Sequence, residues 1–203
     1  MNYLAHLYLA APRQEAMLGA LLGDFVFGTA ALADWSDEVR TEILVHRRID
    51  TYTDQHPLVT AARALFPDGR RRYSGIVLDV YYDHCLARDW ALYCDQSLDQ
   101  FTAPFYAHLL ARSPALPERL RRLAPLMAQG DWLGSYARRE AVDQAVTRIA
   151  SRLSRNGQRL IDCLADLEQH QTAIEAGFQA FFPQLCQQVP RMRQALQAAS
   201  ATD

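Results

Sequence analysis

Apolar residues recur at three- and four-residue spacing along nearly the whole chain, and no run alternates at the two-residue period of a half-buried strand. This pattern restricts the fold class to all-α: helices must bury their apolar stripes against other helices. The period predicts helices over Asn2–Leu9, Gln14–Phe27, Asp37–Thr53 with Ser36 as N-cap, and a shorter one from Pro57 to Phe66. Pro67-Asp68-Gly69 reads as a turn before a long helix over Arg71–Leu92. Further helices are expected over Leu98–Ala111, Pro117–Gln129, Asp131–Arg155, Gln158–Phe181 and Pro183–Ala199. No linker, repeat or low-complexity tract divides the chain, so residues 1–203 read as a single compact domain.

Composition matters mainly for what it excludes. No apolar run reaches the roughly 18–20 residues that span a bilayer. The start, Met1 to His6, lacks the basic segment of a signal peptide, which leads us to expect a cytoplasmic protein with no membrane partner. Cys85, Cys94, Cys163 and Cys186 form no CxxC pair and are read as free thiols. A formal net charge of −2 argues against a general nucleic-acid binder. All 21 basic residues are arginine, so every cation is a planar fork suited to carboxylate or phosphate.

Against this apolar pattern, acids and histidines recur on inward stripes. His46, Asp50 and Asp54 are spaced i, i+4, i+8 on the stripe that carries Val39 and Ile43. Asp79 and Asp83 share a stripe with Ile76, Leu86 and Trp90, and His84 sits beside Val77 and Val80. His6 lies in the apolar segment Leu4–Leu9, and Asp24 follows the apolar run that ends at Gly23. A buried charge is costly unless paired or bound to a metal, and two carboxylates one turn apart repel unless a cation lies between them. Ion pairs with arginine would satisfy the same pattern, so spacing alone leaves a structural network open. Mixed histidine and carboxylate ligands suit Mn²⁺, Fe²⁺, Mg²⁺ or Zn²⁺. His56, His108 and His170 read as loop or surface residues.

The segments Met1-Asn2-Tyr3-Leu4-Ala5-His6-Leu7, Leu21-Leu22-Gly23-Asp24-Phe25-Val26, His46-Arg47-Arg48-Ile49-Asp50 with Thr53-Asp54, and Leu78-Asp79-Val80 with Asp83-His84 resemble the acyl carrier protein phosphodiesterase family. Asp131-Trp132-Leu133 and Phe181-Phe182-Pro183 resemble it too. The resemblance implies a helical fold distantly related to the HD phosphohydrolases, in which a His, a His-Asp pair and a later Asp hold a divalent metal. In this family a small residue replaces the histidine of the pair, and here the pair is Gly23-Asp24. The resemblance further implies Mn²⁺ and hydrolysis of the phosphodiester joining 4′-phosphopantetheine to a serine of holo-acyl carrier protein. His6 would stand for the first histidine and Asp24 for the aspartate of the pair, with either Asp79 or Asp83 completing the set.

The expected metal group is therefore His6, Asp24, His46, Asp83 and His84. Asp50 and Asp79 are expected inward within one or two shells of it. Asp24, Asp50, Asp54 and Asp79 are the acids expected to serve catalysis, and Arg47 or Arg48 to hold the phosphate. Two other readings share the pattern: an HD-type phosphohydrolase acting on a small nucleotide, and a non-catalytic metal-binding helical module. Acyl carrier proteins are acidic, and Arg70-Arg71-Arg72, opening the helix that carries Asp79 and Asp83, is the expected docking patch. Arg47-Arg48, Arg119 with Arg121-Arg122, and Arg138-Arg139 are further clusters.

Overall fold

The apolar period is realised as eleven α-helices in the computed structural model, which describes residues 1–200; no strand occurs among the described residues. They are α1 (Tyr3–Ala10), α2 (Gln14–Leu22), α3 (Asp37–Gln55), α4 (Pro57–Ala64), α5 (Asp68–Arg88) and α6 (Leu98–Ala111). The remainder are α7 (Glu118–Gln129), α8 (Trp132–Ser135), α9 (Arg139–Ala150), α10 (Gly157–Gln169) and α11 (Gln171–Ser200).

Local chemistry explains most boundaries. Ser36 accepts from the Val39 amide at 3.4 Å, and Asp37 and Glu38 lie in the first turn of α3. Ser97 and Gln100 close a reciprocal capping box on α6. His56, expected at the surface, is buried instead, and its Nδ1 accepts from Leu58 N–H as the cap of α4.

Four boundaries depart from the periodic reading. The helix expected to reach Phe27 stops at Leu22, where the amides of Phe25 and Val26 both turn back to the Leu22 carbonyl at 2.9 Å. Pro67-Asp68-Gly69 begins α5 instead of forming a turn, because the Pro67 carbonyl accepts from both Arg70 and Arg71 amides. The expected Asp131–Arg155 helix splits after Ser135. Asp131 sits at φ 41° and caps the short α8 by accepting from Gly134 N–H. Finally, the break lies at His170 and not at Pro183, so α11 runs through Pro183 and Pro190. Proline removes one helical hydrogen bond. Here Phe178, Phe181, Phe182 and Leu185 are all buried around it, and their packing outweighs that loss.

The α2 and α3 helices pack most closely. A Cβ added at Gly19 would lie 2.5 Å from the Val39 carbonyl oxygen, so only glycine permits this approach. The aromatic residues of α11 meet Tyr82 of α5 and Tyr8 of α1, joining the ends of the chain into one apolar core. Two buried carboxylates in this framework are neutralised by forks: Asp166 by Arg70 at 2.6 and 2.7 Å, and Glu42 by Arg193. No helix of the described residues is long and apolar enough to cross a membrane.

Candidate active site

α1, α2, α3 and the turn after α2 meet around the stacked rings of His6 and His46. His6 projects from the middle of α1, a helix with no room to slide. Both oxygens of the fully buried Asp83 accept its first amides, Leu4 N–H at 2.7 Å and Ala5 N–H at 3.1 Å. His46 projects from α3, and its Nδ1–H donates to the Ala20 carbonyl of α2 at 2.7 Å. The two imidazoles stack with centroids 3.7 Å apart. Asp50, one turn beyond His46, receives both rings: His6 Nε2 and His46 Nε2 each lie 3.1 Å from one of its oxygens. Asp24 Oδ1 lies 3.7 Å from His46 Nε2.

Gly23 makes this placement possible. A Cβ there would lie 2.2 Å from His46 Cγ, so any side chain at this position would occupy the space of the imidazole. The early end of α2 then turns Asp24 towards the same nitrogen.

The charges are arranged unequally. Burial opposes a proton on His46, but hydrogen bonds and charge from Asp24 and Asp50 outweigh it and push its pKa up to about 9. Burial and the neighbouring His46 charge push His6 down to about 4. Burial also opposes the Asp50 carboxylate, yet His46 and His6 hold its pKa far below the usual range. Asp50 and Asp24 thus favour a proton on His46, which a cation at Nε2 would displace. Asp79 lies 2.9 Å from the Met1 amino nitrogen, which is itself 3.5 Å from Asp50. Loss of solvation pushes the Asp79 carboxyl upward, against the pull of that ammonium.

The donor set fits a divalent cation. One ligand atom each from His6, His46 and Asp50 lie within 4.8 Å of one another. The Nδ1 bond of His46 to a carbonyl aims Nε2 at that point, the outer-shell arrangement usual for a metal-binding histidine. His6 Nδ1 is buried with no partner among the described residues, so the ring of His6 lacks that second anchor.

The sequence profile of the family described as "Acyl carrier protein phosphodiesterase" matches residues 1–185, a span that contains every residue of this cluster. The chain belongs to the acyl carrier protein phosphodiesterase family. Among curated relatives, the acyl carrier protein phosphodiesterase of Serratia proteamaculans is 39% identical over 189 residues, covering 93% of this chain and 97% of the relative. Proteins of the same name from Yersinia enterocolitica and Escherichia coli are 36% and 35% identical, with 93% and 94% of this chain covered and 97% and 98% of theirs. No solved structure matches the chain.

The other residues singled out in this phosphodiesterase-family sequence fall in different places. Asp83 stands outside the three-residue group and spends both oxygens on α1. Burial pushes its carboxyl up to about 7 although the two amides pull the other way. His84 also stands outside the group, donating from Nδ1 to the Tyr136 carbonyl at 2.7 Å. Asp54 is exposed and pairs with Arg63 at 3.2 Å. A four-residue step overshoots a helical turn by roughly 40°, so the stripe that is inward at His46 has rotated to solvent by Asp54. Arg47 braces the turn after Asp24 by donating to the carbonyls of Val26 and Gly28. Arg70 is engaged by Asp166, Arg71 by Asp68 at 2.9 Å, and Arg72 lies over the Tyr73 ring. Asp50, expected within one or two shells of the metal and among the catalytic acids, stands with His6 and His46 in the three-residue group. Nothing local in the sequence signals the steric role of Gly23 or the Ala20 carbonyl that anchors His46.

Proposed function

We propose that this chain is a metal-dependent phosphodiesterase that hydrolyses the link between 4′-phosphopantetheine and the serine of holo-acyl carrier protein. The products are apo-carrier protein and 4′-phosphopantetheine. One observation carries the chemical part: His6, His46 and Asp50 bring one donor atom each within 4.8 Å of one another inside a family-matched segment. The names of the relatives support the substrate.

His6, His46 and Asp50 would hold the ion, Mn²⁺ being the first choice, with Asp24 beside them. Such an ion lowers the pKa of a bound water and offsets charge on phosphoryl oxygens. The side chains do the rest. Asp24 is 44% exposed and Asp50 and Asp79 are each 42% exposed, so water reaches all three carboxylates. Asp24 therefore accepts a hydrogen bond from the attacking water and orients it. The upward-shifted carboxyl of Asp79 is suited to give a proton to the leaving serine oxygen. Arg47 keeps the Asp24 turn in place through its two carbonyl contacts.

Incubating the protein with holo-acyl carrier protein and Mn²⁺, followed by intact mass measurement, tests the reading. Loss of the phosphopantetheinyl mass is expected, and chelation should prevent it. An intact carrier alongside hydrolysis of bis-p-nitrophenyl phosphate would point to another diester, such as a small nucleotide. Inertness towards both would mark a binding module.

A further inference from the structure

The arginines divide by what holds them. Arg70, Arg71, Arg88, Arg139 and Arg193 are engaged by carboxylates. Arg119, Arg148 and Arg152 have no carboxylate partner among the described residues, and all three are exposed. Arg119 of α7 lies 5.2 Å above the Phe25 ring, and Arg148 of α9 lies 5.0 Å above Trp132. The one carboxylate next to Arg119 in sequence, Glu118, is engaged by Arg122.

These cations gather beside the cluster. Tyr3 stacks on Phe25 with centroids 6.3 Å apart, and Phe25 follows Asp24. The Tyr3 phenol is close enough to Asp24, Arg119 and Arg152 to feel all three charges. Tyr3 also lines a small cleft of about 80 Å³, together with Asn2, Trp132, Ser135, Arg148 and Arg152. Two large apolar side chains stand out on the same elements. Phe27, on the Asp24 turn, is 73% exposed, and Leu126, two helical turns beyond Arg119 on α7, is 54% exposed.

We infer that this face, with Arg119, Arg148 and Arg152 around Tyr3 and with Phe27 and Leu126 as apolar contacts, docks the acidic protein that carries the scissile phosphodiester. The inference rests on the phosphodiesterase reading above and adds to it the surface that selects a protein substrate. Unpaired guanidinium groups seek carboxylates on a partner, steer its approach and fix its orientation. Exposed aromatic and aliphatic side chains amid such charges supply the buried contacts of an interface. Tyr3 then lies between the docked partner and Asp24, along the line by which the phosphodiester enters.

The test compares holo-acyl carrier protein with bis-p-nitrophenyl phosphate, both with Mn²⁺, at low and high salt. The doubly reversed variant, Arg119→Glu with Arg152→Glu, is set against Arg159→Glu, an exposed charge control on α10. The double variant should lose about tenfold or more in kcat/KM on the carrier, mainly through KM, with a flatter salt dependence. Small-diester turnover should stay within about twofold. Phe27→Ser should weaken carrier turnover in the same selective way without altering the charge. Unchanged carrier turnover, equal loss on both substrates, or the same loss in Arg159→Glu would overturn the docking face. If the wild-type protein leaves the carrier intact, the substrate reading fails separately. Anisotropy of fluorescently labelled carrier then decides the surface: binding lost in the double variant upholds it, and binding retained overturns it.

Discussion

At the scale of single residues, the cluster depends on one absent side chain. A Cβ on residue 23 would lie 2.2 Å from His46 Cγ, so a side chain at position 23 and the His46 ring are alternatives in space. Gly23→Ala should therefore push the imidazole off the line to Asp50 while leaving the helices intact. Metal affinity should fall by about 10–100-fold, the usual cost of disturbing what orients a ligand. Titration with Mn²⁺, with far-ultraviolet circular dichroism as the control, measures this. Wild-type affinity in Gly23→Ala would show that His46 is not needed where it lies. The sequence displayed Gly23-Asp24 in full view, but the reason for the glycine lies 23 residues away on another helix.

At the scale of elements, α1 is positioned by α5. Asp83→Ala would leave the buried amides of Leu4 and Ala5 without acceptors. At about 1–3 kcal/mol for each unsatisfied group, a loss of roughly 2–6 kcal/mol is expected, visible as a lowered denaturation midpoint with urea. A variant as stable as the parent would remove Asp83 from this role. The α5–α11 contact has a different signature. Arg88, ending α5, meets Glu175 of α11 at 2.5 Å and Asp89 at 2.8 Å. Hydrogen bonds from Arg88, Tyr81 and Gln171 outweigh burial and hold Glu175 below its ordinary value, and Arg88 does the same for Asp89. Both carboxylates are lowered, so their contribution is present above the ordinary values of 4.5 and 3.8 and is lost as pH falls through the lowered ones. The Tm gap between wild type and Arg88→Gln should be widest near neutrality and shrink below about pH 4. A gap that widens in acid would reverse the sign of the argument.

At the scale of the whole molecule, the cluster joins α1, the turn after α2, and α3. An ion held there binds the folded chain and not the unfolded one. With Mn²⁺ at about a hundred times its Kd, stabilisation near 2.7 kcal/mol is expected, a Tm rise of roughly 5–10 °C for a chain of this size. Chelation should reverse the rise, and His46→Ala or Asp50→Ala should abolish it. An equal rise in those variants would place the ion elsewhere.

The sequence by itself determined the helical class, through apolar spacing that has no other use, and it picked out His6, Asp24, His46 and Asp50 as polar residues in apolar places. It also carried the family. Those signals are local, because a helical stripe is readable from neighbours three or four residues apart. Only the tertiary structure decided which polar residues meet. Asp83 and Asp50 look alike in sequence, each one helical turn from another polar residue on an apolar stripe. Packing gives Asp83 the amides of α1 and gives Asp50 two imidazoles. The prolines of α11 show the same division. Proline weighs against a helix when read along the chain, but burial of Phe178, Phe181 and Phe182 against partners far away in sequence outweighs it. A residue's neighbours along the chain set its periodicity, while its partner is set by where helices cross, and that depends on the whole core at once.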